Sequence, residues 1–170
     1  MNKLLEFDAQ IFKYIRGLAG ESEFWDNFFL ASNRYSIAIF TAVLVWYFFR
    51  KRRVFWTGLF SALLARGIFA TLIHYLIYRP RPFVLLNEFE ALIDTKGLDS
   101  SFPSGYAAYF FAIAFAVWLS DKRIGGILIL GAMVLSFAQI YAGVHYPLDI
   151  LGGILAAAVS VILVRRVLKN

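Results

Sequence analysis

The chain is poor in the residues that build covalent and metal chemistry. Among its 170 residues there is no cysteine, and His74 and His145 are the two histidines. A disulfide framework, a thiolate nucleophile and a thiolate-bound metal are therefore excluded, and a metal site built from histidines is not expected. The sequence predicts no metal, no cofactor and no nucleic-acid partner, and it leaves the oligomeric state open.

Charge is also scarce, at 16% of the residues, whereas 61% are hydrophobic and 18% aromatic. Soluble domains have roughly 45–50% apolar residues, so this excess favours the lipid bilayer as the solvent. Mean hydropathy is +0.68, in agreement with that interpretation. The length is typical of one domain, and we expect residues 1–170 to form a single membrane-embedded unit.

Five apolar segments predict an all-α membrane bundle with five transmembrane helices. They are Tyr35–Phe49, Val54–Tyr78, Tyr106–Leu119, Ile124–Tyr141 and Leu148–Val164. A crossing helix needs about 20 residues, and aromatic residues at the ends of the two short segments can extend them into the interface.

The N-terminal region, "MNKLLEFDAQIFKYIRGLAG", has acids and bases throughout and lacks a continuous apolar core. It therefore resembles neither a cleaved signal peptide nor a clear span. We expect residues 3–17 and 22–31 to form amphipathic helices at the membrane surface, with Trp25, Phe28 and Phe29 as anchors. A tilted first span, which would make six in total, is the alternative.

The charged residues divide between the two sides of the predicted bundle. Basic clusters follow the first, third and fifth spans: "RKRR" at 50–53, "DKR" at 121–123, and Arg165, Arg166 and Lys169. The loop at 79–102 contains Glu88, Glu90, Asp94, Asp99 and Lys96. Because positive charge collects in cytoplasmic loops, this loop, the Ser-Gly turn and the "GVHYPLD" turn are predicted to meet on the outer face of the plasma membrane.

The stretch "HYLIYRPRPF" places Arg79 and Arg81 where the second span ends. Pro80 and Pro82 stop the helix and extend the chain. Arginine suits bidentate recognition of phosphate, although a pair of arginines snorkelling from a span end is an equally ordinary interpretation.

The stretch "FPSGYAAYFF" places Ser104 and Gly105 at the start of a helix. Unpaired backbone N–H groups and the helix dipole favour an anion there, and glycine permits close approach of a ligand to the backbone. A simple serine cap on a transmembrane helix is the competing interpretation.

The stretch "AQIYAGVHYPLDILGG" places His145 and Asp149 four residues apart. This spacing brings two side chains together on a helix or its first turn. A carboxylate at one ring nitrogen fixes the tautomer and leaves the other nitrogen to attack or bind. An acid at the edge of a span favours a functional site over a plain cap.

Together these three stretches resemble the type 2 phosphatidic acid phosphatase family, membrane lipid phosphate phosphatases related to vanadium haloperoxidases. The family pattern is Lys, six residues, Arg-Pro; Pro-Ser-Gly-His; and Ser-Arg, five residues, His, three residues, Asp. Here Arg81-Pro82, Pro103–Gly105, His145 and Asp149 match it. "GLAGESEFWDNFFLASNRY" is similar to bacterial members that act on undecaprenyl diphosphate, so the resemblance extends from about Ile15 to Gly153.

The resemblance implies a phosphatase that forms a phosphohistidine and needs no magnesium. It makes His145 the nucleophile, Asp149 its orienting group, and Arg81, Ser104 and the Gly105 N–H the phosphate cradle.

The family pattern is broken at four positions. His74 stands where the family has lysine, Tyr106 where it has the histidine acid, and Ala138 and Gln139 where it has Ser-Arg. The loss of an acid costs about 10²–10⁴-fold in rate, so activity is expected to be reduced. Tyr106 remains a candidate catalytic residue at the position of the acid. His74, Gln139 and Arg79 are candidate phosphate-binding residues, and His74 and Arg79 are candidates to restore positive charge.

A lipid diphosphate suits this altered site better than a phosphate monoester does. Its leaving group is a phosphate with a second pKa of about 6, whereas the phenol of Tyr106, with an ordinary pKa of about 10, is a poor acid. The leading hypothesis is a phosphatase for a polyprenyl diphosphate; the alternatives are an inactive relative that binds lipid phosphate and, less well supported, a small transporter. Arg66, deep in the second segment, has no obvious partner beyond Asp149 or a backbone carbonyl.

Overall fold

The computed structural model describes residues 3–86, 91–93 and 100–168, and the regular structure of those residues is helical. The elements are α1 (Lys3–Arg16), α2 (Glu23–Arg50), α3 (Arg52–Ala62), a π-helical segment (Leu63–Ala70), α4 (Thr71–Leu76), α5 (Pro82–Leu85), α6 (Gly105–Trp118), α7 (Lys122–Tyr141) and α8 (Pro147–Val167). Glu88, Glu90, Asp94, Lys96, Asp99 and Lys169 lie outside the described residues.

The N-terminal helices are arranged differently from the prediction in one respect. Helix α1 is a separate amphipathic helix, as expected, and it buries Asp8 and Phe12. Helix α2, however, continues without a break from Glu23 to Arg50, so the predicted surface helix at 22–31 is the first part of a 28-residue helix. The reason is local: no proline or glycine occurs between Ser22 and Arg50, and nothing there ends a helix.

Among the described residues, four helical stretches are long and apolar enough to cross a membrane: Glu23–Arg50, Arg52–Leu76, Lys122–Tyr141 and Pro147–Val167. Helix α6 is apolar but has only 14 residues, which corresponds to about 21 Å at 1.5 Å per residue. The hydrocarbon core of a bilayer is about 30 Å thick. The chain is therefore a multi-pass helical membrane protein whose central helix is shorter than the bilayer.

Helix α6 forms the centre of the bundle, with nine of its 14 residues buried. It packs against α3, α7 and α8, and its many alanines allow those helices to approach closely. The contact with α8 is the tightest at Gly153, where an added Cβ would lie 2.5 Å from the carbonyl oxygen of Ser104. The start of α6 is thus held directly against the first turns of α8.

The basic ends of the helices lie together. The guanidinium of Arg53 donates to the carbonyl oxygen of Leu168 at 3.2 Å, and the hydroxyl of Tyr47 donates to Asp121 at 3.2 Å. These contacts join the ends of α2, α3, α7 and α8, as the charge pattern predicts. The turn before α8 and the start of α6 lie at the opposite end of their helices.

Candidate active site

The turn between α7 and α8 positions His145 and Asp149. Gly143 adopts φ of +84°, a left-handed conformation that suits glycine, and it lets the chain reverse after α7. Pro147 then begins α8, as proline often does at the first helical position. The carboxylate of Asp149 accepts from the backbone N–H of Tyr146 at 2.7 Å, which caps the helix. Asp149 therefore serves as a cap and also faces the imidazole.

The imidazole of His145 is held in one orientation. Its Nδ1–H donates to the carbonyl oxygen of Ser101 at 3.0 Å, and because a carbonyl only accepts, this bond assigns the proton to Nδ1. Asp149 Oδ2 lies 3.6 Å from the same nitrogen and accepts from the Ser101 hydroxyl at 2.5 Å. Nδ1 thus donates to Ser101 with Asp149 close beside it, and Nε2 keeps its lone pair.

The environment of His145 favours the neutral ring. The side chain is buried, and this burial is the main reason that the pKa of His145 is lowered from its ordinary 6.5. The contacts with Asp149 oppose the shift, whereas the positive charge of Arg81 adds to it.

Asp149 also belongs to a buried ion network with Arg79 and Asp8. Arg79 donates through Nη1 to Asp149 at 2.7 Å and through Nη2 to Asp8. Asp8 also accepts from the backbone N–H of Leu148 at 2.9 Å. The guanidinium stacks 4.1 Å from the ring centroid of Tyr146. The sequence predicts that Arg79 binds phosphate, but in this arrangement its charge is balanced by two carboxylates of the protein.

Ser104 and Gly105 form the start of α6 beside this network. The Ser104 hydroxyl accepts from the N–H of Ala107 at 3.3 Å, so it caps the helix. The Ser104 N–H donates to the carbonyl oxygen of Asp149 at 2.9 Å. The capping interpretation is therefore correct, and it is compatible with an anion at the same helix end.

His74 approaches the same region from the second membrane segment, and Arg81 follows that segment in the chain. A ring nitrogen of His74, Nε2, lies 2.9 Å from the carbonyl oxygen of Pro103. Arg81 is half-buried and is the residue that precedes α5. His74 thus contacts the backbone next to Ser104, at the position where the resemblance leads us to expect a lysine.

Tyr106 and Gln139 are engaged by other side chains. The Arg66 guanidinium lies 4.8 Å from the ring centroid of Tyr106, so Tyr106 is a partner of Arg66 that the sequence did not indicate, and Asp149 is bonded to Arg79 instead. Gln139 is buried, and its amide nitrogen donates to Asn33 of α2 at 2.5 Å. Within the described residues, the contacts that join His145, Asp149 and Arg79 do not include Gln139.

Sequence reasoning missed Ser101 and Asp8. Asp8 could have been noticed because it is four residues from Phe12, and both are buried on the same face of α1. A carboxylate on the apolar face of an amphipathic helix requires a partner. For Ser101 the sequence offers no comparable signal, since its role depends on two chain segments that meet only in the fold.

These features define a multi-pass membrane protein with a buried histidine, a carboxylate and arginines near a helix start, which is a site suited to phosphate chemistry. Residues 55–170 match the family model described as PAP2 superfamily. The chain belongs to the PAP2 superfamily, the type 2 phosphatidic acid phosphatases.

Relatives and solved structures agree with this assignment. The chain is 30% identical over 159 residues to undecaprenyl-diphosphatase BcrC of Bacillus subtilis (strain 168), covering 88% of this chain and 78% of the relative. It is similar to the crystal structure of Aquifex aeolicus LpxE, with a TM-score of 0.81, 26% identity and coverage of 93% and 94% of the two chains. A PAP2 type phosphatidylglycerolphosphate phosphatase from Bacillus subtilis has the same fold, with a TM-score of 0.72, 19% identity and coverage of 99% and 88%. The family and its relatives support a lipid phosphatase activity.

Proposed function

We propose that this protein is a membrane lipid phosphatase that removes the terminal phosphate of a polyprenyl diphosphate such as undecaprenyl diphosphate. The observation that carries the proposal is the buried His145, whose Nδ1–H is donated to Ser101 at 3.0 Å while Nε2 keeps its lone pair. The extended similarity to an undecaprenyl-diphosphatase supports the choice of substrate.

His145 is the nucleophile in this proposal. Nε2 attacks the terminal phosphorus, an N–P bond forms, and the P–O bond to the inner phosphate breaks, releasing the lipid monophosphate. The ring gains positive charge in this step, and Asp149, 3.6 Å from Nδ1, stabilises that charge. The lowered pKa of His145 contributes because only the neutral ring can attack.

The phosphate cradle combines backbone and side-chain donors. The start of α6 supplies the Gly105 N–H and the helix dipole at the capped Ser104. Arg81 supplies positive charge close enough to lower the pKa of His145. His74, on the Pro103 carbonyl at 2.9 Å, is the further candidate donor at this helix start. We assign Arg79 to Asp149, which it binds at 2.7 Å, and not to the phosphate.

The leaving group explains how the reaction proceeds with tyrosine at position 106. A lipid monophosphate has a second pKa of about 6, so it departs as an anion without protonation by an acid. In the second step a water oxygen attacks the phosphorus, the N–P bond breaks and Nε2 regains its lone pair. Inorganic phosphate leaves, and the proton of the water passes to phosphate or solvent. The proposal assigns no metal to either step.

We place the site on the extracytoplasmic side of the plasma membrane. Clusters of basic residues lie at the other end of the bundle, around Arg53, Lys122 and Arg165. Positive charge at the ends of spans favours the cytoplasm. Labelling of a cysteine introduced at exposed Gln10 by an impermeant reagent in intact cells tests this orientation, and labelling only after lysis would contradict it.

The direct test is phosphate release by the purified protein in detergent micelles. With undecaprenyl diphosphate and a chelator present, we expect release that His145→Ala abolishes. A phosphate monoester lipid should be hydrolysed more slowly, because its alkoxide leaving group needs a proton. No release from the diphosphate, or release that survives His145→Ala, would reject the proposal.

A second candidate function is binding of lipid phosphate without hydrolysis. It is favoured by Tyr106 in place of the histidine acid and by the commitment of the Gln139 amide to Asn33. In that case the protein binds the diphosphate lipid but releases no phosphate, and Tyr106→His creates activity. Turnover by the unaltered protein would exclude this candidate.

A further inference from the structure

Arg66 occupies an unusual position for a charged residue. It belongs to the π-helical segment inside the Arg52–Leu76 membrane helix, ten residues before the end of that helix, or about 15 Å along it. Ionisable residues inside membrane spans are costly and generally mark a functional site. π-helical turns are likewise frequent at functional sites, where they alter the direction of side chains.

The side chain of Arg66 lies against the start of α6. Its guanidinium stacks over Tyr106, 4.8 Å from the ring centroid. A Cβ added to Gly105 would lie 3.6 Å from Cγ of Arg66 and 4.0 Å from Nε. A guanidinium stacked on an aromatic ring keeps N–H donors in its own plane for an anion. Arg66 is thus a cation placed directly beside the backbone of the proposed phosphate cradle.

The first residues of α6 face two different neighbours. Ser104 faces α8, where its N–H donates to the carbonyl oxygen of Asp149 at 2.9 Å. Gly105 faces Arg66, as the position of its added Cβ shows. The helix start therefore lies between the His145–Asp149 side of the site and Arg66. A diphosphate bound at this helix start can place one phosphate toward His145 and the other toward Arg66.

The surface around Arg66 is open and apolar. Leu63 is 58% exposed and Ile68 57% exposed, and a Cβ added to Gly67 would meet no atom within 4 Å. Such a surface inside the span suits a hydrocarbon chain. The phosphate attached to that chain would then be the one nearest to Arg66.

We propose that Arg66 binds the inner phosphate of a lipid diphosphate, the phosphate that stays on the lipid when the terminal one is transferred. This inference rests on the proposed function for the position of the terminal phosphate at His145. A preorganised cation stabilises the charge that develops on the leaving phosphate. Arg66 therefore supplies a guanidinium beside the cradle that the substituted family positions 74 and 139 do not supply.

The experiment separates binding from turnover. In the non-hydrolysing His145→Ala protein, calorimetry gives the Kd of farnesyl diphosphate and of farnesyl monophosphate with Arg66 intact and with Arg66→Gln or Arg66→Lys. Arg52→Gln is the matched control, because Arg52 stacks on Phe48 at 5.3 Å on the same membrane helix but at its basic end. The hydrolysis of undecaprenyl diphosphate by the Arg66 variants with His145 intact is measured in parallel.

We expect Arg66→Gln to raise the Kd of the diphosphate about 10- to 100-fold, the range for loss of a charge-assisted hydrogen bond. Arg66→Lys should restore part of the affinity. The Kd of the monophosphate, which carries the same inner phosphate, should also rise with Arg66→Gln, whereas Arg52→Gln should change either Kd less than about threefold. If this pattern appears while the unaltered protein releases no phosphate, the proposed function fails and the binding role of Arg66 stands. No weakening by Arg66→Gln, equal weakening by Arg52→Gln, or no binding of either lipid would overturn the inference.

Discussion

The two ends of the helical bundle use charged residues in opposite ways. At the basic end, the cationic side chains are exposed and lie over aromatic rings or bond to terminal carbonyls, as Arg53 and Lys122 do. At the site end, Asp8 and Asp149 are buried and are joined by Arg79. In the first arrangement, mutation of a single charged residue should change stability little. In the second, each charge also affects the geometry of His145.

This contrast reflects the cost of removing charge from water. Exposed ion contacts contribute little stability because solvent screens them. A buried carboxylate requires partners, and the loss of one partner leaves the other charge uncompensated. We therefore expect mutations of comparable chemistry to have large effects at the site end and small ones at the basic end.

The largest effect on stability is expected for Asp8→Ala. It leaves the N–H of Leu148 without its acceptor and leaves Arg79 with one carboxylate in place of two. The free energy of unfolding should fall by about 3 kcal/mol, measured by denaturation in detergent micelles. Glu6→Ala, on the exposed face of the same helix, is the control and should change it by less than about 0.5 kcal/mol. Equal effects of the two substitutions would show that burial of the carboxylate does not determine the cost of its loss.

Gly153→Ala should separate the helices that position the site. The new Cβ would lie 2.5 Å from the carbonyl oxygen of Ser104 and 3.0 Å from the backbone nitrogen of Ala108, so α6 and α8 must move apart. We expect a loss of about 1–3 kcal/mol in stability, as for other overpacked sites, together with lower phosphatase activity. Gly131→Ala is the matched control, since its Cβ meets only the Phe40 ring at 3.6 Å. A stable, fully active Gly153→Ala protein would refute the close packing.

The buried imidazole predicts a dependence of stability on pH. The pKa of His145 is lowered from 6.5 by burial, so below about pH 6.5 the unfolded chain takes up a proton that the folded protein does not. The free energy of unfolding therefore falls as the pH drops below that value, by at most about 1.4 kcal/mol per pH unit. The decline stops once the pH passes below the pKa in the folded protein. The free energy of unfolding, measured by denaturation at several pH values from 8 to 5, should fall more steeply with decreasing pH for the unaltered protein than for His145→Gln. The same slope for both proteins would contradict the account.

The smallest effect is expected for Arg53→Gln at the basic end. It removes a hydrogen bond from an exposed guanidinium to Leu168. Stability should change by less than about 1 kcal/mol, and the change should shrink further at high salt. Phosphatase activity should be unaffected. A loss as large as that of Asp8→Ala would show that the basic end also depends on coupled charges.

Much of this organisation could be predicted from local patterns. The apolar segments indicate the membrane helices, and the distribution of arginines and lysines indicates which ends lie together. The spacing of His145 and Asp149 predicts their contact, because residues four apart meet on a helical turn. The absence of glycine and proline between Ser22 and Arg50 also predicts that α2 is continuous.

Other parts depend on contacts between distant segments. Asp8 meets Leu148, 140 positions away, and Ser101 meets His145 across 44 positions. The π-helical segment that carries Arg66 has no marker in its residues "LLARGIFA". These features follow from how the helices pack, which no short stretch of sequence encodes.

The most direct test of the account is a search for a phosphorylated His145 during turnover. The protein is mixed with a diphosphate lipid labelled in its terminal phosphate and is quenched with alkali, which preserves phosphohistidine. We predict label on the unaltered protein that is lost in acid and is absent from His145→Ala, while Arg53→Gln retains it. Phosphate release without any label on His145, in protein quenched at several times during turnover, would contradict the central claim.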